Sequence, residues 1–307
     1  MRAIFNTGAT IFRINLSHNS RETHQNLIAK IKNAAPKAQI LLDTRGAEIR
    51  LGKFNGEFEI AKNAKFKLIA RGDFNLQKNE FPIAFEKFDE NVFVGEKIAI
   101  DGGFLIAEIL EIKNGKIVCR AENSWKISQK RHVNLPRVRV NLPTIPATDE
   151  RDLKFFDANP AIDFFALSFV RDASDLKLAR KFTSKKLIAK IENADAVENL
   201  SEILKTTDGA MVARGDLGVE MGIENVPKLQ KKILAAAKIF KKFSIVATEM
   251  LKSMCDSPRP TRAEVADVAT AVWEKTDAVM LSEETAIGKF PVAAASEMAK
   301  IIKINER

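Results

Sequence analysis

The stretch Met211–Gly218 (MVARGDLG) begins as a short apolar run and ends in a charged turn that contains glycine. A short apolar run predicts a buried strand. Upstream, Leu187–Asn193 (LIAKIEN) has the same form, with Lys190 and Glu192 two residues apart. Residues two apart on a strand point to the same side. If both strands belong to one parallel barrel, Lys190, Glu192 and Asp216 converge at its carboxyl end. Two carboxylates and an ammonium suit a divalent cation and an anionic substrate.

Strands alternate with helical segments along the rest of the chain, apart from one central interruption. Seven strands of the α/β type are predicted near residues 10, 39, 163, 187, 209, 243 and 278. This alternation is typical of a parallel sheet, and a complete (β/α)8 barrel has eight strands. We therefore predict an α/β fold: a (β/α)8-type barrel with one strand fewer than eight in this sequence, formed by residues 1–46 and 138–307.

The interruption, residues 47–137, has a different pattern. Short runs of period two are separated by turn signals such as Asn55-Gly56 and Asn114-Gly115. Such alternation with glycine-containing turns indicates antiparallel hairpins. We predict that these residues form a small all-β domain inserted into the barrel.

Several helices carry recognisable start signals. Thr261–Glu264 predicts a capping box, and Ser174 is the expected N-cap of a helix that ends at Phe182. A single helix is expected over residues 194–206. Lysines between residues 228 and 242 interleave with apolar residues at helical spacing. That pattern indicates a solvated helix face, with a surface for polyanions as the alternative.

Composition argues against several classes of protein. The 307 residues are 46% hydrophobic with a formal net charge of +9, but the lysines are scattered, so nucleic acid is not an expected partner. No apolar run is long enough to cross a membrane, and the amino-terminal residues lack a signal-peptide pattern. Cys119 and Cys255 lie far apart, which indicates reduced thiols in a cytoplasmic protein.

Polar side chains stand at the ends of most predicted α/β strands. They are Arg13, Asn15, Ser17, Asp43, Thr44, Ser168, Lys190, Glu192, Asp216, Thr248 and Ser282. Active sites of barrels are built at the carboxyl ends of strands, because the interior is filled by packed side chains. Any one of these residues could be a buried structural polar group. Their repetition from strand to strand favours a site.

Seven segments together resemble a known family. They are Ile14–His18 (INLSH), Leu42–Gly46 (LDTRG), Val133–Pro136 (VNLP), Ser168–Arg171 (SFVR), Ala189–Asn193 (AKIEN), Met211–Gly218 and Pro258–Glu264 (PRPTRAE). The resemblance is to pyruvate kinases and covers almost the whole chain. It implies phosphoryl transfer from phosphoenolpyruvate to ADP, giving pyruvate and ATP, the last step of glycolysis. It also implies Mg²⁺ or Mn²⁺, K⁺, a β lid inserted after the third barrel strand, and a homo-oligomer formed through the barrel domain.

The resemblance also assigns catalytic and substrate roles. Arg13 and Lys190 hold and polarise the phosphoryl group, and Thr248 relays the proton that converts the enolate to pyruvate. The substrate site includes all three of these residues together with Ser168, Gly215, Asp216 and Ser282. Backbone amides at Gly215 and Asp216 suit the substrate carboxylate, because they lie at a helix start.

Metal and nucleotide sites follow from the same resemblance. Mg²⁺ is expected on Glu192 and Asp216, and K⁺ on Asn15, Ser17, Asp43 and Thr44. The nucleotide is expected to contact Asn15, Ser17, His18, Arg50 and Arg131. In this family a glutamate at the position of Glu48 accompanies a K⁺ requirement. His24 and His132 are expected to be exposed.

The sequence departs from the family pattern at several positions. Ala47 replaces a proline, Gly102 a lid aspartate, Glu249 a glutamine, Glu283 a glycine and Arg131 a lysine. Added glutamates oppose the binding of an anionic substrate. The family's first strand and carboxyl-terminal domain have no counterpart in this sequence.

Two main functions therefore stay open: an active pyruvate kinase-like phosphotransferase, or a truncated, non-catalytic remnant that only binds a ligand or partner. A phosphoenolpyruvate-handling lyase is a third, which would not need the β lid.

Overall fold

A computed structural model describes residues 1–136, 142–143 and 145–306. The strands, in chain order, are β1 (Ile11–Asn15), β2 (Gln39–Asp43), β3 (Glu57–Ile60), β4 (Lys65–Ile69), β5 (Glu80–Pro82), β6 (Lys97–Ile100), β7 (Leu105–Lys113), β8 (Lys116–Ala121), β9 (Trp125–Ser128), β10 (Val133–Asn134), β11 (Phe164–Leu167), β12 (Lys186–Ile191), β13 (Gly209–Ala213), β14 (Phe243–Ala247) and β15 (Ala278–Met280). The α-helices are α1 (Arg2–Asn6), α2 (Arg21–Ala34), α3 (Ala147–Asp157), α4 (Ala173–Ala179), α5 (Ala194–Glu198), α6 (Leu200–Thr206), α7 (Arg214–Met221), α8 (Val226–Ile239), α9 (Arg262–Trp273), α10 (Glu283–Ala286) and α11 (Pro291–Asn305).

The chain divides into two compact units. The first, called the α/β unit here, comprises Met1–Gly46, Thr144–Leu217 and Glu224–Arg307. The second, called the β unit, comprises Ala47–Pro143 and Gly218–Ile223. The boundary predicted between residues 137 and 138 lies outside the described residues. The catalytic and lid roles expected of the two parts remain predictions.

The α/β unit is built on a seven-stranded sheet with the order β1-β2-β11-β12-β13-β14-β15. Every neighbouring pair in it is parallel. Helices connect consecutive strands of this sheet wherever the chain does not pass through the β unit. The predicted fold class, a barrel-type α/β sheet with an all-β insertion, is confirmed.

One side of this sheet carries a continuous apolar core. Its buried members are Leu41, Phe164, Ala166, Ile188, Met211, Ile245 and Ala247. They come from successive strands, as expected for the packed interior of a barrel. Ile11 of β1 and Ala278 and Met280 of β15 pack against the same core but stay only partly buried. Their partial exposure follows from their position, because β1 and β15 are the two ends of the described sheet.

The β unit contains a six-stranded sheet, β10-β6-β7-β8-β4-β5, and the two-stranded pair β3-β9. The predicted Asn114-Gly115 turn joins β7 to β8, and both residues have positive φ, 50° and 76°. Antiparallel bridging brings the start of this unit next to its end. Leu51 donates its N–H to the Arg131 carbonyl at 2.9 Å, and Val133 donates to the Ile49 carbonyl at 2.8 Å.

Some local expectations were wrong. Asp172, rather than Ser174, caps α4, because its side chain accepts the Ser174 N–H. The helix expected over residues 194–206 is two helices that meet at Asn199. His24 is only 4% exposed and lies against the Phe156 ring, with 6.4 Å between the ring centroids. It occupies a core-facing position of α2, although the polarity of a histidine side chain alone favours the surface.

Other expectations were confirmed. Thr261 and Glu264 form the predicted capping box at the start of α9. In α8, Leu229, Ile233 and Ala237 are buried, while the lysines between them are exposed. No helix among the described residues is both long enough and apolar enough to cross a membrane.

Candidate active site

The predicted polar residues of the α/β unit do lie at the carboxyl ends of its strands. Asn15 ends β1 and pairs in register with Asp43, which ends β2. Lys190 is the penultimate residue of β12, and Glu192 follows that strand directly. The remaining residues follow their strands within a few positions: Thr44 after β2, Ser168 after β11, Asp216 after β13, Thr248 after β14 and Ser282 after β15.

Lys190 is the centre of the arrangement. Its Nζ lies 2.8 Å from Ser168 Oγ, 3.2 Å from Asp43 Oδ1 and 2.8 Å from Glu192 Oε1. Burial alone lowers the pKa of a lysine, but here the charges of Asp43, Glu192 and Asp216 outweigh burial and raise the pKa of Lys190. The side chain is therefore a fixed ammonium.

Arg13 holds the other oxygen of Asp43. Its Nε and Nη2 lie 2.8 Å and 2.7 Å from Asp43 Oδ2. Asp43 is 1% exposed, and burial alone raises the pKa of a carboxyl. The charges of Lys190 and Arg13 outweigh burial, so the pKa of Asp43 lies below its ordinary value. One buried carboxylate thus bridges the two cations predicted to contact the phosphoryl group.

Glu192 is fully buried, and its two oxygens differ. Phe169 donates its N–H to Oε2 at 2.7 Å. Oε1 contacts the Lys190 ammonium, but among the described residues no group makes a hydrogen bond of good geometry to it. Burial raises the pKa of Glu192 to about 7; Lys190 opposes this shift and Asp216 adds to it. An under-satisfied carboxylate oxygen beside a second carboxylate fits a hard divalent cation such as Mg²⁺.

The oxygens predicted to bind K⁺ surround the ends of β1 and β2. Asn15 Oδ1 accepts the Ser17 N–H at 2.9 Å. Thr44 accepts two bonds from Ser168: the N–H reaches its Oγ1 at 3.0 Å, and the hydroxyl reaches its carbonyl at 2.7 Å. Neutral oxygens with one carboxylate suit a monovalent cation. Asp43 already contacts two protein cations, however, so K⁺ would share that carboxylate with them.

Thr248 contacts the turn that follows β13. Its Oγ1 accepts the N–H of Gly215 at 3.0 Å, so this predicted substrate-binding amide already has a protein acceptor. Gly215 and Asp216 lie in the first turn of α7, where backbone N–H groups have no helical acceptor. Gly215 and Asp216 thus lie at a helix start, as expected, while their binding of the substrate carboxylate remains a prediction.

Two of the remaining predicted residues, Ser282 and His18, belong to the α/β unit, and the other two, Arg50 and Arg131, belong to the β unit. Ser282 precedes α10, and its N–H donates to Glu284 Oε2 at 2.7 Å. His18 is exposed in the segment after β1. In the β unit, Arg50 pairs with Glu48 at 2.6 Å, and Arg131 pairs with Asp101 at 3.2 Å. His132, expected to be exposed, is half-buried and lies 3.9 Å from the same Glu48 carboxylate.

Sequence reasoning missed the residues that hold these segments. Arg45 donates to the carbonyls of Leu16 and Ser17, at 3.2 Å and 3.4 Å. Asp149 accepts the Gly46 N–H at 2.7 Å and is 2% exposed. Burial raises the pKa of Asp149 to about 6, although the bond from Gly46 opposes the shift. The signal available in the sequence was an aspartate in the first turn of a helix, which ordinarily indicates only a favourable helix dipole.

A cavity of about 10 Å³ lies behind the ends of β2 and β11. Its lining is Thr44, Ile145, Asp149, Leu167, Ser168, Val170 and Asp175. Among residues 1–136, 142–143 and 145–306, no three or more His, Cys, Asp or Glu side chains are grouped to hold a metal ion. The assignment of a divalent cation to Glu192 and Asp216 therefore remains a prediction.

A parallel α/β sheet with a buried ammonium, buried carboxylates and a half-buried guanidinium toward its strand ends defines a barrel-type protein with a charged site. Residues 1–295 match the family described as pyruvate kinase, barrel domain. The chain therefore belongs to the pyruvate kinase family, and the resemblance found in the motifs is confirmed.

Individual relatives agree with this assignment. A pyruvate kinase of Geobacillus stearothermophilus is 40% identical over 97% of this chain and 53% of its own length. A pyruvate kinase of Clostridium perfringens is 37% identical over 99% of this chain and 66% of its own length. The crystal structure of a pyruvate kinase from Cryptosporidium parvum matches with a TM-score of 0.90 and 35% identity, covering 98% of this chain and 65% of that one. The chain thus spans between about half and two thirds of these relatives.

Proposed function

We propose that this chain carries the active site of a pyruvate kinase, which moves the phosphoryl group of phosphoenolpyruvate to ADP and gives pyruvate and ATP. The observation that carries the proposal is the Lys190 ammonium, held within 3.2 Å of Ser168, Asp43 and Glu192 at the strand ends. Phosphoryl transfer depends mainly on positioning and on positive charge beside the transferred group. A fixed, buried ammonium supplies such charge without reorganisation during the reaction.

Arg13 and Thr248 complete the proposed chemistry. Arg13 would turn its guanidinium from Asp43 toward the phosphoryl oxygens, for which its planar fork is suited. Thr248 would deliver a proton to the enolate carbon as pyruvate forms. The amides at the start of α7, at Gly215 and Asp216, would receive the substrate carboxylate, and Ser168 and Ser282 would belong to the same substrate site.

Both cations have candidate ligands in the α/β unit. Glu192 and Asp216 would hold Mg²⁺ or Mn²⁺, which when bound supplies further positive charge beside the phosphoryl group. K⁺ would sit on oxygens of Asn15, Ser17, Asp43 and Thr44. The nucleotide would use Asn15, Ser17 and His18 together with Arg50 and Arg131. Those two arginines would exchange their carboxylate partners for phosphate oxygens.

The non-catalytic alternative rests on the added glutamates, and one contact weakens it. Glu283 forms an ion pair with Lys252, so the charge of this glutamate is compensated locally. Glu249 is exposed, where solvent screens its charge. The family's ordinary setting leads us to propose further a cytoplasmic protein and a homo-oligomer formed through the α/β unit, with neither nucleic acid nor membrane as partner.

A coupled assay tests the proposal. The chain is first shown to melt cooperatively; pyruvate formation is then followed with lactate dehydrogenase, with Mg²⁺ and with or without K⁺. Lys190→Met should abolish turnover, because it removes the charge and keeps most of the side-chain volume. Lys186→Met is the matched control, since Lys186 is exposed at the other end of β12. A folded wild-type chain without turnover would favour the non-catalytic alternative.

A further inference from the structure

The turn after β14 has an unusual backbone. Thr248 and Glu249 both adopt positive φ, at 72° and 52°. The left-handed region is unfavourable for residues with a side chain, and most so for a β-branched residue such as threonine. Strain of this kind persists only where surrounding contacts over-determine the conformation, and it concentrates at functional sites. The contacts of Thr248 therefore indicate which residues keep it in this conformation.

Arg214 supplies most of these contacts. Its Nε and Nη2 both donate to the Thr248 carbonyl, at 3.2 Å and 2.6 Å. The next residue, Gly215, donates its N–H to Thr248 Oγ1 at 3.0 Å. Consecutive residues at the start of α7 thus hold both the backbone and the side chain of Thr248.

Arg214 is itself fixed from the other side. Its Nη1 donates to Asp267 Oδ1 of α9 at 2.7 Å, and Gln230 of α8 lies at 3.5 Å. The Arg214 side chain is 11% exposed, so these groups replace most of its solvent contacts. A guanidinium can bind a carbonyl and a carboxylate together because its donors form a rigid fork.

We propose that Arg214 is a positioning residue that holds Thr248 in the left-handed conformation, and that Asp267 orients Arg214. The proposal rests on the function proposed above, in which Thr248 delivers a proton to the enolate. A hydroxyl oxygen that accepts the Gly215 N–H keeps its single hydrogen for donation elsewhere. If the Thr248 carbonyl were released, the residue would return to negative φ. Its hydroxyl would then move away from the position from which it delivers the proton to the enolate.

Two variants separate positioning from bulk packing. Arg214→Lys keeps the charge and loses the fork, and Asp267→Asn keeps the shape and loses the ion pair. Arg180→Lys is the matched control. Arg180 likewise bonds a carbonyl, that of Lys185 at 2.6 Å, and a carboxylate, that of Asp208, but at the amino ends of β12 and β13.

The decisive readout is exchange of the pyruvate methyl protons with deuterium from the solvent, followed by NMR in the presence of Mg²⁺, K⁺ and ATP. Arg214→Lys should slow exchange at least about tenfold, since a positioned acid or base contributes roughly 10²–10⁴-fold. The KM for phosphoenolpyruvate should change by a smaller factor than the exchange rate, because Arg214 contacts no group assigned to phosphoryl binding. Asp267→Asn should slow exchange less, and Arg180→Lys should leave it unchanged.

Unchanged exchange in Arg214→Lys, or an equal loss in Arg180→Lys, would overturn the proposal while leaving the kinase assignment intact. A crystal structure of Arg214→Lys gives a readout independent of activity. We expect a negative Thr248 φ in the variant, and a positive value there would also overturn the proposal. Absence of both turnover and exchange in the wild-type chain would instead refute the proposed function, and the Thr248 φ would still decide the positioning role.

Discussion

Lys190 Nζ lies 2.8 Å from Glu192 Oε1, with both side chains on the same side of the chain at the end of β12. This contact is the direct result of the period-two alternation of a strand. Together with the charge of Asp43, this contact keeps the lysine charged where burial alone would favour its neutral form. It also leaves Glu192 buried, within reach of the charge of Asp216.

The first prediction concerns the divalent cation. Asp216→Asn removes one of two carboxylates, so Mg²⁺ or Mn²⁺ affinity and turnover should fall together, each by at least about tenfold. Mn²⁺ binding measured by electron paramagnetic resonance, beside the coupled assay, checks this. Asp208→Asn is the control, since Asp208 lies at the amino end of β13. Full Mg²⁺-dependent turnover in Asp216→Asn would show that the ligand assignment is wrong.

The second prediction concerns K⁺. If oxygens of Asn15, Ser17, Asp43 and Thr44 bind the ion, turnover requires K⁺, and Ser17→Ala raises the K⁺ concentration that gives half-maximal rate. The measurement is a KCl titration in a tetramethylammonium buffer. Ser20→Ala is the matched control: it removes a hydroxyl that caps α2 and belongs to no proposed ligand set. Equal wild-type rates at zero and saturating K⁺ would remove the basis for this site.

The third prediction concerns Gly46, whose φ is 72°. A Cβ at this position would lie 2.6 Å from Phe169 Cδ2 and 2.7 Å from Ser168 Cβ. Gly46→Ala should therefore lower the free energy of unfolding by more than the roughly 1–3 kcal/mol typical of left-handed strain alone. Gly102→Ala separates the two effects, because Gly102 has a similar φ of 67° and a Cβ added there would have no atom within 4 Å. If denaturant unfolding showed similar losses of unfolding free energy in both variants, the close contacts of the added Cβ would contribute nothing to the destabilisation.

The fourth prediction follows from Asp149, whose pKa is raised from 3.8 to about 6 by burial. The folded chain then keeps a proton on this group that the unfolded chain loses, so stability falls as pH rises from about 4 to 6. A change of this size in the pKa corresponds to roughly 3 kcal/mol. Asp149→Asn should reduce this dependence, measured by denaturant unfolding across pH 4–7. The exposed Asp73→Asn is the control, and parallel curves for wild type and Asp149→Asn would contradict the assignment.

Much of the fold was predictable because periodicity is a local property. Apolar runs located every strand of the α/β sheet, and the strand rule placed Lys190 beside Glu192. Glycine-containing turns located hairpins such as the one at Asn114. Three strands of the β unit were missed. β5 contains a proline, β9 has a single buried residue and β10 is only two residues long, so none of them shows a recognisable apolar run.

The supporting contacts of the site were not predictable, because they join residues far apart in sequence. Arg214 was part of a quoted motif, but nothing local shows that it reaches the Thr248 carbonyl or Asp267. The bond from Gly46 to Asp149 spans 103 positions. The burial of His24 likewise depends on Phe156, a partner that only the folded chain supplies.

The backbone hydrogen bonds that join the two ends of the β unit affect how the chain folds. The α/β sheet must join β2 to β11, and the Ile40 N–H already bonds Asp163 Oδ2 across 123 positions. Closing so long a loop slows folding, because chain entropy is lost before the contact forms. If the β unit folds first, the backbone bonds that join residues 49–51 to residues 131–133 shorten the effective loop to a few tens of residues. That shortening lowers the entropic cost of loop closure by about 1 kcal/mol, so folding of the β unit before the α/β sheet would favour the pairing of β2 with β11.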